Sequence, residues 1–266
     1  ALYGNPQTGP FFVLGAEPGQ RLAVTIRKLS LNRDWADSLS GFVGRALTPG
    51  MAANGAGRSE RVRWRLDRAA GTARLENPPE RLKDYVVPVR PMLGGLGVAP
   101  DFGFQPFSAG DTGRFGGNID FNGLGEGATI YLPVYQPGAL LFLGDGHALQ
   151  GDGEITQWAL ETSLDVEFSV ELLPGRPMSG PRIETDERIT TIGQDGSLDD
   201  ALKQATTGMI QWLAQDYGLT PAESSLVLGT AAQFRVVTLA GRNAGMALSV
   251  NKASLAGLST KAEDRP

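Results

Sequence analysis

Hydrophobic and polar positions alternate in several short stretches of the first two thirds of the chain. Leu22, Val24 and Ile26 alternate with Ala23, Thr25 and Arg27, which predicts a strand with one buried face. Leu164, Val166, Phe168 and Val170 alternate in the same way with Asp165, Glu167 and Ser169. Val62–Leu66 and Thr72–Leu75 predict two more strands, whose recurring arginines suggest an exposed outer face. Shorter apolar runs predict strands at Phe11–Leu14, which is followed by a turn at Glu17–Gln20, and at Tyr131–Tyr135. The unbroken run Ala139–Leu143 predicts a buried strand. Residues 33–60 show no clear period and predict a loop or flap with one short helix, and residues 85–117 form a glycine- and proline-rich region.

After Pro174-Gly175 the period changes. A short strand is predicted over Asp186–Ile192, and then apolar residues fall at 198, 201, 202, 205, 209, 210, 213 and 217, which is helical spacing. Ser197 is placed to cap this helix, Asp199 and Asp200 sit in the first turn where the helix dipole favours negative charge, and Gly218 is placed to end it. Thr220-Pro221 opens a second helix, and Phe234–Thr238 and Gly245–Val250 predict two closing strands. The tail KAEDRP carries no structural signal.

Composition narrows the partners. The chain has 266 residues, 41% hydrophobic and 20% charged, with a net charge of −5, so it can bury a proper core as one large β domain or two smaller ones. A mildly acidic chain argues against nucleic acid as the main partner, and no apolar run approaches the roughly 18 residues of a membrane helix. Thirty-six glycines and 17 prolines imply frequent turns and many short strands. The absence of cysteine excludes disulfides, a thiolate nucleophile and a cysteine-based zinc site.

Candidate chemistry concentrates at 141–161, LFLGDGHALQGDGEITQWALE, which contains the single histidine, His147. Asp145 lies two residues before it, and glycines stand at 144, 146, 151 and 153. In an extended segment Asp145 and His147 point to the same side, so both can face one metal or one substrate. Carboxylate and imidazole ligands suit zinc and similar divalent ions. Glu154, beyond the turn that contains Asp152, could return as a third ligand or general base. A structural alternative stands beside this one: Gly-Asp-Gly as turn chemistry and His147 as a hydrogen-bonded core residue. Asp120, after Gly116-Gly117-Asn118, is a further candidate. A Ser-His-Asp triad would have to use His147, and no G-x-S-x-G elbow supplies its serine, which leaves water activated by a metal as the route to hydrolysis.

Four stretches carry a resemblance: GNPQTGPFFVLGAEPGQRLAV (4–24), PMLGGLGVAP (91–100), GGNIDFNGLGEGATIYLPVYQPGALLFLGDGHALQGDGE (116–154) and TPAESSLVLGTAAQFRV (220–236). In order and spacing they resemble the acetamidase/formamidase family through almost the whole chain. The resemblance implies a mainly β fold, a jelly-roll-like β-sandwich with added C-terminal helices. It implies one domain over 1–266, of which 176–266 is the helix-containing C-terminal portion, and a start inside the region that precedes the GAEPG turn, without the family's N-terminal segment. It implies hydrolysis of a short aliphatic amide, formamide or acetamide, to ammonia and a carboxylate, by a homodimer; beside it, a cytoplasmic location is expected, and charge and hydropathy predict neither a nucleic-acid nor a membrane partner. The implied cofactor is a divalent metal, zinc first and calcium second. Residue by residue, Asp120, Asp145 and His147 would hold the metal, Glu154 would act as the catalytic base, and Asn118 would contact substrate. Two competing expectations are a non-catalytic β-sandwich that binds a ligand at the Asp-x-His turn, and a hydrolase of another small C–N bond.

Overall fold

The computed structural model describes residues 4–56, 58–104, 106 and 108–258; the KAEDRP tail lies outside them. In chain order its strands are β1 (Gln7–Phe11), β2 (Arg21–Leu31), β3 (Trp35–Leu39), β4 (Arg61–Asp67), β5 (Thr72–Leu75), β6 (Val86–Pro88), β7 (Met92–Gly97), β8 (Thr112–Gly113) and β9 (Gly116–Asn118). They continue with β10 (Thr129–Pro133), β11 (Leu141–His147), β12 (Glu161–Thr162), β13 (Leu164–Leu173), β14 (Arg182–Glu184), β15 (Arg188–Asp195), β16 (Gln233–Thr238) and β17 (Ala244–Asn251). The α-helices are α1 (Pro49–Met51), α2 (Leu198–Tyr217) and α3 (Pro221–Ala231).

Two antiparallel sheets result. One runs β6-β5-β4-β3-β12-β11-β7-β9-β8, with β1 added to β11, and the other runs β13-β2-β10-β14-β15-β17-β16. The alternation read in β2 is what glues them. Leu22, Val24 and Ile26 of β2, with Ile130 and Leu132 of β10, pack into one core with Leu93 and Leu96 of β7 and Leu141 and Leu143 of β11. Side chains on neighbouring positions of a strand point to opposite faces. Ala247 therefore joins that core while Leu248 and Val250 turn outward to meet Ala205, Met209, Trp212 and Leu213 of α2. The molecule is thus a mainly β sandwich with a helical layer on the outside of its second sheet, as expected. Helix α2 approaches β15 closely: a Cβ on Gly193 would lie 1.9 Å from the Ala201 carbonyl oxygen, so only glycine permits this packing.

Helix boundaries follow their caps. Ser197 accepts from the Asp200 N–H, Gly218 ends α2 at φ 69°, and Thr220 with Glu223 forms a capping box at α3. No helix among the described residues is long and apolar enough to cross a membrane.

Several strand expectations need correction. The N-terminal strand is Gln7–Phe11, earlier than the apolar run Phe11–Leu14, because its partner β11 pairs with Gln7 and Thr8 at Gly144 and Leu143. The 33–60 segment contains strand β3, which pairs with β4 before the short helical turns begin. Asp37 explains why β3 escapes a hydrophobic pattern: it is buried, and Arg61 and Arg63 of β4 both bind its carboxylate. Burial alone would raise this carboxyl, but the two arginines outweigh it and hold it below the usual range. Those arginines are therefore partnered on the sheet, and Arg63 also stacks on Trp35 at 3.9 Å. Finally, the glycine-rich 92–97 stretch is a fully buried central strand, β7.

Strand β11 organises the candidate site. One of its edges is taken by β7, and the other is shared by β1, which pairs up to Gly144, and β12, which pairs at Gly146 and His147. Asp145 falls in the gap between β1 and β12.

Candidate active site

Asp145 is not the extended residue that the sequence suggested. Its φ is +57°, a left-handed conformation inside a strand, and Asp120 (φ +50°) and Glu154 (φ +43°) share it. Such a conformation costs a non-glycine residue of the order of 1–3 kcal/mol and clusters at functional sites. Among the described residues, these three are the only acidic ones with positive φ. The chain spends this strain to turn three carboxylates toward one histidine.

The groups converge as follows. Ligand atoms of Asp120, His147 and Glu154 lie within 4.8 Å of one another, and so do those of Asp145, His147 and Glu161. His147 Nε2 is 3.6 Å from Asp145 Oδ1 and 3.3 Å from Glu161 Oε1. Asp120, His147 and Glu154 are all buried. Gly94 of β7 makes the room, since a Cβ there would lie 2.6 Å from Asp145 Oδ2 and 2.7 Å from Asp120 Oδ1.

A surrounding set of bonds fixes these side chains. The Gln150 Oε1 lies 2.9 Å from His147 Nδ1 and can only accept, so Nδ1 carries a proton, and Nε2, turned to Asp145 and Glu161, is the nitrogen that would bind an ion once its own proton is lost. The Gln150 Nε2 donates to the Asp120 carbonyl at 2.5 Å. Asn118 donates to Asp120 Oδ2, Asn5 donates to Asp145 Oδ1, and the Thr238 hydroxyl donates to Glu154 Oε2 at 3.1 Å. Thr238 is delivered by β16, which also bonds Gly153 through the Val236 carbonyl.

The electrostatics are those of crowded anions. Burial raises Asp120 well above the usual carboxylate range, and Glu154 and Asp145 add to it. Burial likewise pushes Glu154 up to about 7, with Glu161 and Asp145 adding. For His147, burial opposes the cation, but Asp145 and Glu161 outweigh it and hold the imidazole well above its ordinary value. Asp145 is lowered because His147 outweighs its burial. Such a field favours a positive charge at its centre. Two atoms there, Asp120 Oδ1 and His147 Nε2, are buried with no hydrogen-bond partner. Leaving them so is costly. One oxygen and one aromatic nitrogen, aimed together and unsatisfied, fit a divalent metal ion.

This geometry can be set beside known proteins. The sequence model of the acetamidase/formamidase family matches residues 110–239, which include Asp120, Asp145, His147 and Glu154. The acetamidase of Mycolicibacterium smegmatis is 29% identical over 188 residues, 59% of this chain and 46% of that protein. The formamidase of Methylophilus methylotrophus is 51% identical over 137 residues, 44% of this chain and 33% of that one. Among solved structures, an acetamidase from Bacillus halodurans matches with a TM-score of 0.82 at 28% identity, covering 96% of this chain and 81% of the other. This chain is similar to the acetamidase/formamidase family. It spans less than half the length of the curated relatives it matches.

In this chain the four residues singled out as ligands and base come together, while two neighbours do other work. Asp152 points away from the cluster to Arg235 and Asn122, and so ties the 151–154 turn to β16. Asn118 has its amide committed to Asp120. Sequence reasoning missed Glu161, Gln150, Asn5 and Thr238. Glu161 reaches the site only through register, because it pairs with His147 across β11 and β12. Gln150 follows His147 by three residues inside the recognised motif, a spacing that gave a usable signal.

Proposed function

We propose that this chain hydrolyses a short-chain aliphatic amide, formamide or acetamide, to ammonia and the carboxylate, with a divalent metal, zinc in the first instance. The observation that carries the reading is the pair of buried, unsatisfied atoms, Asp120 Oδ1 and His147 Nε2, converging beside Glu154. The named activities of the relatives support the same substrate class. Asp120, Asp145 and His147 would hold the ion. When bound, it would polarise the amide oxygen and lower the pKa of water.

The chain's own residues supply the rest. Gln150 fixes the imidazole tautomer, Asn118 and Asn5 orient the two aspartates, and Gly94 keeps the space between them clear. Outer partners of this kind typically change metal affinity about 10–100-fold when removed. Glu154, held by Thr238, accepts the proton of the attacking water and passes it to the leaving nitrogen, which must depart as ammonia rather than as an amide anion. Burial favours this because a desolvated carboxylate is a stronger base than one in water. The same reading includes a homodimer, supported by large apolar side chains left exposed at Phe12, Leu14, Phe102 and Phe104.

The test is ammonia release from formamide and acetamide by metal-replete protein, before and after chelation. We expect turnover that a chelator removes and zinc restores. Absence of turnover on both amides by the metal-replete protein would refute the reading.

A further inference from the structure

Gln7 stands at the rim of the site with a carboxamide that has nothing to bond. Both Oε1 and Nε2 are buried without a partner, although each is a group that normally finds one. Its placement is set by the shared edge of β11. Gln7 pairs with Gly144 and Thr162 of β12 pairs with Gly146, so Gln7 is the last paired residue of β1 before the gap that Asp145 occupies. Two glycines clear the floor beneath it. A Cβ on Gly144 would lie 2.8 Å from Gln7 Oε1, and a Cβ on Gly95 would lie 3.2 Å from Gln7 Oε1 and 3.4 Å from Asp145 Cβ. Gln7 and Asn5 both line a cavity of about 700 Å³; Asp120, Asp145, His147 and Glu154 do not line it, but Asn5 bonds Asp145 and so links its wall to the cluster.

A carboxamide that lacks both a donor and an acceptor partner is complementary to one ligand group above all, another carboxamide with an N–H on the same side as its C=O. We propose that Gln7 is the specificity-determining residue that binds the substrate amide by a paired contact, Oε1 accepting from the substrate N–H and Nε2 donating to its carbonyl. The assignment rests on the amidohydrolase reading above. It predicts selection for primary amides. An ordinary secondary amide is trans and turns its N–H away from the carbonyl side, so it offers only half of the pair. A γ-lactam ring fixes the N–H back on that side. The carboxylate product has no N–H to give, which favours its release.

The experiment compares wild type with Gln7→Leu and the isosteric Gln7→Glu, on acetamide, 2-pyrrolidinone and N-methylacetamide, by steady-state kinetics and by calorimetric binding to the metal-replete protein. For both variants, at wild-type metal content, we expect KM and Kd for acetamide to rise at least about 10-fold, with kcat changed much less, because the contact exists before the transition state. Binding of 2-pyrrolidinone should weaken in parallel, and the preference over N-methylacetamide should shrink. An unchanged acetamide to N-methylacetamide ratio in a folded variant overturns the assignment; if Gln7→Leu fails to fold, Gln7→Glu decides it. If wild type binds acetamide through Gln7 but turns over no amide, the hydrolase reading fails and the recognition stands. If wild type does not bind acetamide at all, the recognition fails.

Discussion

Glu154→Gln should lower acetamide turnover by about a thousandfold, in the middle of the range for removing a general base, while the protein keeps its fold and its metal. The substitution is nearly isosteric, and its remaining carbonyl oxygen can still accept from Thr238. What disappears is the capacity to take a proton from water. The outcome separates two roles that the geometry permits, since Glu154 lies within ligand distance of Asp120 and His147 as well. Metal content measured on the purified variant distinguishes them. Retained metal with lost turnover identifies a base, whereas metal lost in proportion to activity would make Glu154 a ligand and contradict the role assigned to it.

Gly94→Ala should have a smaller but still large effect by a different route. The added methyl would sit within 2.6–2.7 Å of carboxylate oxygens from both Asp145 and Asp120. Carboxylate tips can swing aside, so the strand pairing survives and thermal stability should change little. The ligand set cannot survive that swing. We expect metal affinity to fall by about 10–100-fold, as when the support of a ligand is lost, and turnover at limiting metal to fall by about 10²-fold, the scale of a 1 Å misplacement. Competition with a chromophoric chelator reads the first and ammonia release the second. Wild-type metal affinity in Gly94→Ala would show that the two aspartates do not share an ion.

These two residues also show where sequence reading succeeds and where it stops. Glu154 was legible because it closes a distinctive motif, and α2 and α3 were legible because caps and a 3.6-residue period act locally. Strand β7 was not, because the glycines of MLGGLG read as turn formers. Their reason is tertiary: Gly94 clears Asp145 and Asp120, Gly95 clears Gln7, and Gly97 lies against Gly117. Strand β3 was hidden by Asp37, whose partners Arg61 and Arg63 come from the next strand. The left-handed conformations of Asp120, Asp145 and Glu154 carry almost no sequence signal, since aspartate adopts them more readily than most residues but still seldom, and glutamate more rarely. Glu161 and Asn5 depend on strand register, which brings β12 and β1 to the same edge of β11. The residues of the cluster could be named from the sequence. Their arrangement had to be seen.

The proposed chemistry depends on one divalent ion between Asp120 and His147. The most direct measurement is an anomalous-difference map from crystals of the metal-replete protein, collected at the absorption edge of zinc. One peak is expected roughly 2.0–2.2 Å from Asp120 Oδ1 and His147 Nε2, with an Asp145 oxygen in the same shell. A peak elsewhere, or none at this position in protein that hydrolyses acetamide, would contradict it.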